Sequence, residues 1–181
     1  MARKKSKNSK MSNIYRKILS GLLISGMLVS MFLVYEHFSY AASEFCSFGS
    51  NLDCGVVNKS PYANLDGISY LLTIDLKLPL PLIDISGINI LFDFLTTNAF
   101  LGFITLLFIL LININNKKDR FLFTKKRDNI NWIRGVLIFG VFYGGYLFLI
   151  QHFILKTYCV FCIILDAIMI VSLILSFIIK K

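Results

Sequence analysis

Residues 157–179 read TYCVFCIILDAIMIVSLILSFII. A Cys159-Val-Phe-Cys162 pair opens this run, and Asp166 is its single charged residue. A helix needs about 20 predominantly apolar residues to cross a bilayer core of about 30 Å. Residues three apart on a helix share a face. The stretch therefore predicts a membrane-spanning helix with a dithiol at its mouth.

Three further runs lie upstream. Ile18–Tyr35, Phe94–Asn116 and Gly135–Leu155 contain no Asp, Glu, Lys or Arg. The chain of 181 residues is 56% hydrophobic, and four spans leave no room for a separate soluble domain. The expected fold is an all-α membrane protein, a four-transmembrane-helix bundle occupying 18–181, with spans at 18–36, 94–114, 135–154 and 158–179. A basic tail, 1–17, precedes it and is expected to be mobile as far as Tyr15. Loop 37–93 is longer than a plain connector. Its many Leu and Ile residues argue against disorder, and Pro79 and Pro81 break any long helix there. Short helical pieces lying at the membrane interface and partly capping the bundle are expected. In the spans, Ser20, Gly21, Ser25, Gly26 and Ser30, and then Gly140, Gly144 and Gly145, predict close helix approach.

The net charge of +9 is segregated. Residues 1–17, 113–134 and 180–181 hold sixteen of the 19 Lys and Arg residues, whereas loop 37–93 holds only Lys59 and Lys77. Lys and Arg stay on the cytoplasmic side. Both termini and loop 115–134 are thus expected in the cytoplasm, and all four cysteines outside it, where disulfides persist. The same segregation speaks against nucleic-acid binding, which needs a basic face interleaved with aromatics. Ser39-Tyr40-Ala41-Ala42 resembles a signal-peptide cleavage site, but the preceding apolar run of 18 residues exceeds the usual h-region of about 7–15. A retained span is expected.

Two cysteine pairs carry the chemistry. Cys46 and Cys54 lie in the outer loop, Cys159 and Cys162 at the start of the last span. A helix start presents the positive end of the helix dipole, a setting shared by reactive Cys-x-x-Cys pairs. A four-cysteine zinc site would want Cys-x2–4-Cys on both sides. The loop pair is Cys-x7-Cys, so no metal is expected. Two static disulfides remain an alternative. Two dithiols at one rim favour a relay by thiol–disulfide exchange through a mixed disulfide. With no haem, flavin or NAD motif, the electrons need a lipid-soluble acceptor, most simply a quinone within the bundle. Tyr158, Phe161, Phe142, Tyr143 and Tyr146 are candidates to line its pocket, and each also reads as ordinary packing. Asp166 lies one turn below Cys162 on the same face. An acid inside a span costs about 2.5–3.5 kcal/mol on insertion scales and is a functional candidate by default. It is positioned either to donate to a quinone carbonyl or to bond a neighbouring helix. His152 reads as an outer-rim residue.

In order and spacing these residues resemble the vitamin K epoxide reductase family: Cys46-x7-Cys54 after the first span, Ser60 six residues beyond Cys54, and Cys159-Val-Phe-Cys162 opening the fourth. The resemblance implies a four-helix bundle around a quinone (menaquinone, ubiquinone or similar). It implies that Cys159 and Cys162 form the active pair with Cys162 facing the quinone. Cys54 would exchange with Cys159, and Cys46 would face the partner protein. It also implies a polar residue of span two near the quinone, for which Asn98 is the candidate. Two departures stand out. Gly67-Ile68-Ser69 replaces the family's usual Gly-Ile-Pro, and an extra stretch follows it before the span. The thioredoxin-like domain fused to some prokaryotic members is absent from these residues, which implies a separate soluble, extracytoplasmic thioredoxin-fold (DsbA-like) partner.

The expected function is a multi-pass cell-membrane oxidoreductase that passes electrons from that partner to the quinone and supports disulfide bond formation. Two alternatives stay open: quinone or quinone-epoxide reduction as the physiological output, and a non-catalytic membrane protein whose disulfides staple its outer loop.

Overall fold

The computed structural model describes residues 2–39, 46–47, 49, 51–115, 120–121, 124–125 and 129–179. Most of the Ser39–Ala42 cleavage-like segment and basic residues such as Lys117, Lys118 and Arg127 lie outside that set. Among the described residues there are seven α-helices and one two-residue antiparallel pair. The helices are α1 (Ala2–Phe38), α2 (Cys54–Asn58), α3 (Gly67–Tyr70), α4 (Ile90–Thr96), α5 (Asn98–Ile114), α6 (Asn129–Ile150) and α7 (Val160–Ile178). The pair joins β1 (Arg120–Phe121) to β2 (Thr124–Lys125), a feature the sequence reading did not include.

Three segments are long and apolar enough to cross a membrane: Asn13–Phe38 of α1, Ile130–Leu155 of α6 with its π-helical extension, and Val160–Ile178 of α7. α5 is shorter, at 17 residues. The helix of the first run does not begin at 18. It continues back through the basic tail to Ala2, because no Pro or Gly interrupts the segment before Gly21. The second apolar run is divided. Thr97 leaves the helical region with ψ at 133°, and its side chain caps α5 by accepting the Phe100 amide N–H at 3.3 Å. A Thr at the N-cap satisfies one of the donors that every helix start leaves open.

α1 packs against α5 and α7, and α6 packs against α7 and α5. Alongside an apolar interior, polar side chains are buried and large apolar ones exposed, unlike the sorting of a water-soluble protein. Ser30, Glu36, Ser172 and Ser176 are fully buried, while Phe139 and Phe142 are 70% and 76% exposed. Contiguous exposed apolar surface on this scale marks a membrane or interaction face. The chain is a multi-pass membrane protein. In lipid the tails are as apolar as Leu, so helices associate by close contact rather than by leaving water. Gly26 shows this: a Cβ there would stand 3.0 Å from Leu106 Cδ1 and 3.3 Å from Ile168 Cγ2. Ser30 lies on the same face one turn on, and Gly102 approaches its hydroxyl. Gly21 and Ser25, one position earlier in each turn, face outward.

One end of the bundle is closed by polar contacts near the basic segments. Asn113 Nδ2 donates to the Arg16 carbonyl at 3.1 Å and to Ser20 Oγ at 2.9 Å. Arg134 donates to the Ser176 carbonyl at 3.2 and 3.0 Å, which caps the C-terminus of α7. Below this runs an apolar cluster that includes Leu19, Leu23, Leu106, Ile109, Ile133, Leu137 and Met169. The other end carries the cysteines.

There the chain between α1 and α5 forms short helices, not a plain loop. Gly67 is required by a close approach, since a Cβ would fall 2.7 Å from Tyr62 Cα. The segment from 66 to 95 leaves and returns at one place: Asn64 bridges Thr97, and Leu65 N–H donates to the Thr96 carbonyl at 3.0 Å. His37 ties the same region to α1, with Nδ1 at 2.5 Å from the Asn58 carbonyl and Nε2 at 3.2 Å from Asp93 Oδ1.

Candidate functional site

Cys46 and Cys54 form a disulfide, with Cα atoms 5.5 Å apart. Cys159 and Cys162 are free thiols. Cys46, Cys54 and Cys159 are fully buried in one cluster with Leu33, Val57 and Ala99, and Cys162 packs against that cluster.

A short backbone bridge brings the two pairs together. Leu52 and Tyr158 pair in parallel, with Asp53 N–H donating to the Tyr158 carbonyl at 3.1 Å and Tyr158 N–H to the Asn51 carbonyl at 2.9 Å. Each strip ends at a helix start. Asp53 caps α2 by accepting Val56 N–H at 3.1 Å, which makes Cys54 the first helical residue. Cys159 is the N-cap of α7, and its sulfur accepts the Cys162 amide N–H at 3.1 Å. Lys156, in the left-handed conformation at φ 51°, ends the preceding helical segment and turns the chain into this cap. Gln151, 3% exposed, accepts the Cys159 amide N–H at 3.0 Å. Cys54 and Cys159 thus both stand at helix starts, and the Cys159 sulfur already takes one backbone donor there.

Cys162 opens onto a cavity of about 80 Å³ between the four long helices and α2. A water-sized group needs about 10–15 Å³ on that measure, so the space takes about six such groups, the size of a ring. Its lining brings together Ser60, Asn98, Cys162 and Asp166 of the residues named from sequence. Asn98 is held from both sides: Nδ2 donates to the Tyr62 carbonyl at 2.9 Å, and Tyr143 donates its hydroxyl to Asn98 Oδ1 at 2.6 Å. Ser60 donates to the Val57 carbonyl at 2.7 Å. Asp166 lies over bare backbone, because a Cβ on Gly144 would collide with its carboxyl group. Apolar walls come from Leu33, Val57, Leu147 and Leu165.

Tyr158 and Phe161 do not line this cavity. The Tyr158 hydroxyl meets His152 Nδ1 at 2.6 Å on the exposed rim, and Phe161 packs on Phe32 with ring centres 4.7 Å apart. Phe142 faces outward. Three further polar lining residues, Asn58, Tyr62 and Gln151, were not among the site candidates read from the sequence. Asn58 Nδ2 donates to the Leu33 carbonyl at 2.6 Å and reaches Glu36 Oε2 at 3.4 Å. Burial and the bond to Asp75 push the Tyr62 hydroxyl up to about 12, so it remains a neutral donor. Among the described residues no cluster of His, Cys, Asp and Glu is arranged to hold a metal.

A disulfide and a dithiol packed together at one end of an apolar helix bundle define a membrane redox protein. The sequence profile described as the Vitamin K epoxide reductase family matches residues 17–177, and the chain belongs to that family of oxidoreductases. Comparison with curated proteins finds no match.

Proposed function

We propose that this protein is a thiol–disulfide oxidoreductase that takes electrons from an extracytoplasmic thioredoxin-fold protein and delivers them to a membrane quinone. The observation that carries this reading is the placement of Cys159. It shares a buried cluster with the Cys46–Cys54 disulfide, while its partner Cys162 lines a ring-sized cavity.

The residues divide the work as follows. The partner's dithiol reduces Cys46–Cys54 through a mixed disulfide at Cys46 and leaves oxidised. The freed Cys54 thiolate attacks Cys159 of a Cys159–Cys162 disulfide, forming Cys54–Cys159 and releasing Cys162 as thiolate. Cys46 then attacks Cys54, which restores the loop disulfide and frees Cys159. The product has an oxidised loop pair and reduced Cys159 and Cys162, the arrangement present in this structure. A bound quinone supplies the two-electron sink. Asn98 and Asp166 would hold a quinone ring by its carbonyls, the apolar walls would exclude water, and Cys159 and Cys162 would give up two electrons and two protons as their disulfide forms. The donor set fits such a ring. Polar groups face it from Asn98 and Asp166, and the Asp166 carboxyl has no protein hydrogen bond among the described residues.

The same reading gives four crossings. α5 spans with the help of α4, since its 17 residues rise only about 25 Å. The short helices of loop 37–93 lie at the outer interface. Segments 1–17 and 115–134 and the C-terminus face the cytoplasm.

The test is quinone reduction by the purified protein with a reduced thioredoxin-fold donor, read by quinol absorbance. Turnover that needs all four cysteines supports the relay. Turnover indifferent to Cys46 and Cys54 removes the loop pair from it.

A further inference from the structure

Glu36 is fully buried in the last turn of α1, at the cysteine end of the bundle, and the exchange sequence above gives it no task. It stands where three elements meet. Leu33, one turn earlier on the same face, packs in the cluster of Cys46, Cys54 and Cys159. Phe32, also on that face, packs on Phe161, the neighbour of Cys162 on α7. On α2, Asn58 is one turn from Cys54, and its Nδ2 donates to the Leu33 carbonyl and reaches Glu36 Oε2. Asn58 also lines the cavity onto which Cys162 opens.

The carboxyl group is poorly satisfied. Oε2 has the Asn58 amide at 3.4 Å, and Oε1 meets no hydrogen-bond partner among the described residues. An unpaired charge is costly to bury, so the resting group is the neutral acid. Lys59 and Asp53 at the two ends of α2, Cys162 on α7 and the adjacent His37 are the charged or titratable groups around it. Lys59 donates to the Ser39 carbonyl, Asp53 caps α2, and the His37 ring is engaged by the Asn58 carbonyl and Asp93. Of these groups, Cys162 alone changes charge in the exchange sequence. It leaves as a thiolate, and at the edge of an apolar cavity that charge needs a proton.

We propose that Glu36 carries the proton that accompanies electron transfer between the two cysteine pairs. The proposal deepens the relay read above and rests on it. As the Cys54 thiolate displaces Cys162 from Cys159, the Cys162 thiolate takes the proton of Glu36. The Glu36 carboxylate then takes the proton of the Cys46 thiol, and the Cys46 thiolate displaces Cys159 from Cys54. Glu36 ends as it began, Cys46–Cys54 is restored, and the proton of Cys46 stands on Cys162. Asn58 holds the carboxyl at the seam of α1 and α2 in both states.

The test is a single-turnover assay on the full chain, with no quinone present. Protein oxidised with diamide is mixed with an excess of reduced thioredoxin-fold donor, and the release of the Cys159 and Cys162 thiols is followed by acid quench and thiol trapping across pH. The wild type should give a bell-shaped profile. Glu36→Gln keeps the shape and an oxygen for Asn58. It should slow release by about 100-fold near neutral pH, within the range that general acid–base groups supply, and abolish the alkaline fall. Glu36→Asp, which draws the acid back by one methylene, should keep the bell at a lower rate. In both variants the quinone KM should stay within about twofold of the wild type, since that site is untouched. A wild-type rate or an unchanged bell in Glu36→Gln overturns the proposal. So does a Glu36→Asp profile without the alkaline fall, which would leave Glu36 a packing residue. If the donor reduces neither Cys159 nor Cys162 in the wild type, the relay reading fails, and the proton carrier falls with it.

Discussion

Gln151 accepts the amide N–H of Cys159 at 3.0 Å, across the turn that joins the third long helix to the fourth. Both residues are buried, so the bond has no water to replace it. Leaving that N–H unpaired costs about 1–3 kcal/mol. Gln151→Leu should therefore loosen the Cys159 cap and slow exchange between Cys54 and Cys159, while Gln151→Glu, which keeps an acceptor, should recover part of the rate. Rapid-quench thiol trapping reads the step directly. Equal exchange rates in the Leu variant and the wild type would show that the turn holds its shape without Gln151.

Cys46→Ser removes the thiol that resolves the mixed disulfide while leaving its two members in place. Incubated with oxidised quinone, this variant should accumulate a Cys54–Cys159 cross-link, visible in a non-reducing digest. Recovery of only a Cys159–Cys162 bridge together with full turnover would make the loop pair structural.

Tyr143 and Tyr62 hold Asn98 from opposite sides, one through its oxygen and the other through its amide. Asn98→Leu and Tyr143→Phe should each raise the apparent quinone KM, and the double variant should fall short of the sum. Contacting pairs of this kind couple by about 0.5–3 kcal/mol. Strict additivity would separate Tyr143 from the positioning of Asn98.

A membrane-impermeant thiol reagent should reach a cysteine placed at the exposed Lys77 in intact cells and should not reach a cysteine placed at Lys118. Labelling at Lys118 alone would reverse the orientation inferred from the distribution of Lys and Arg.

Some of this was legible in the sequence because the bilayer imposes it. Uninterrupted apolar runs and segregated charge are consequences of solvation, and they marked the long helices. The break at Thr97 was written locally as a capping residue but hidden inside an apolar run that looked continuous. The cysteine spacing placed the two dithiols, yet the parallel bridge between Leu52 and Tyr158 that joins them is a contact across more than a hundred residues and leaves no local pattern. Asn58, Tyr62 and Gln151 were missed for the same reason: they come from separate elements and meet only in the fold. Tyr158 and Phe161 were drawn in by their nearness to Cys159 and Cys162 in sequence. Tyr158 precedes the helix, and Phe161 is about 100° around it from Cys162, so neither faces the cavity.

The meeting of Asn64–Leu65 with Thr96–Thr97 makes the stretch between them a detour whose two ends coincide. Gly67 locks the near end of that detour against Tyr62. Chain can be added to or removed from such a closed excursion at small entropic cost. Ser60 and Asn98, on either side, keep their positions. The length of the stretch from 71 to 89 is therefore uncoupled from the spacing of Ser60 and Asn98, and the stretch reaches back to the cavity lining through the bond from Tyr62 to Asp75.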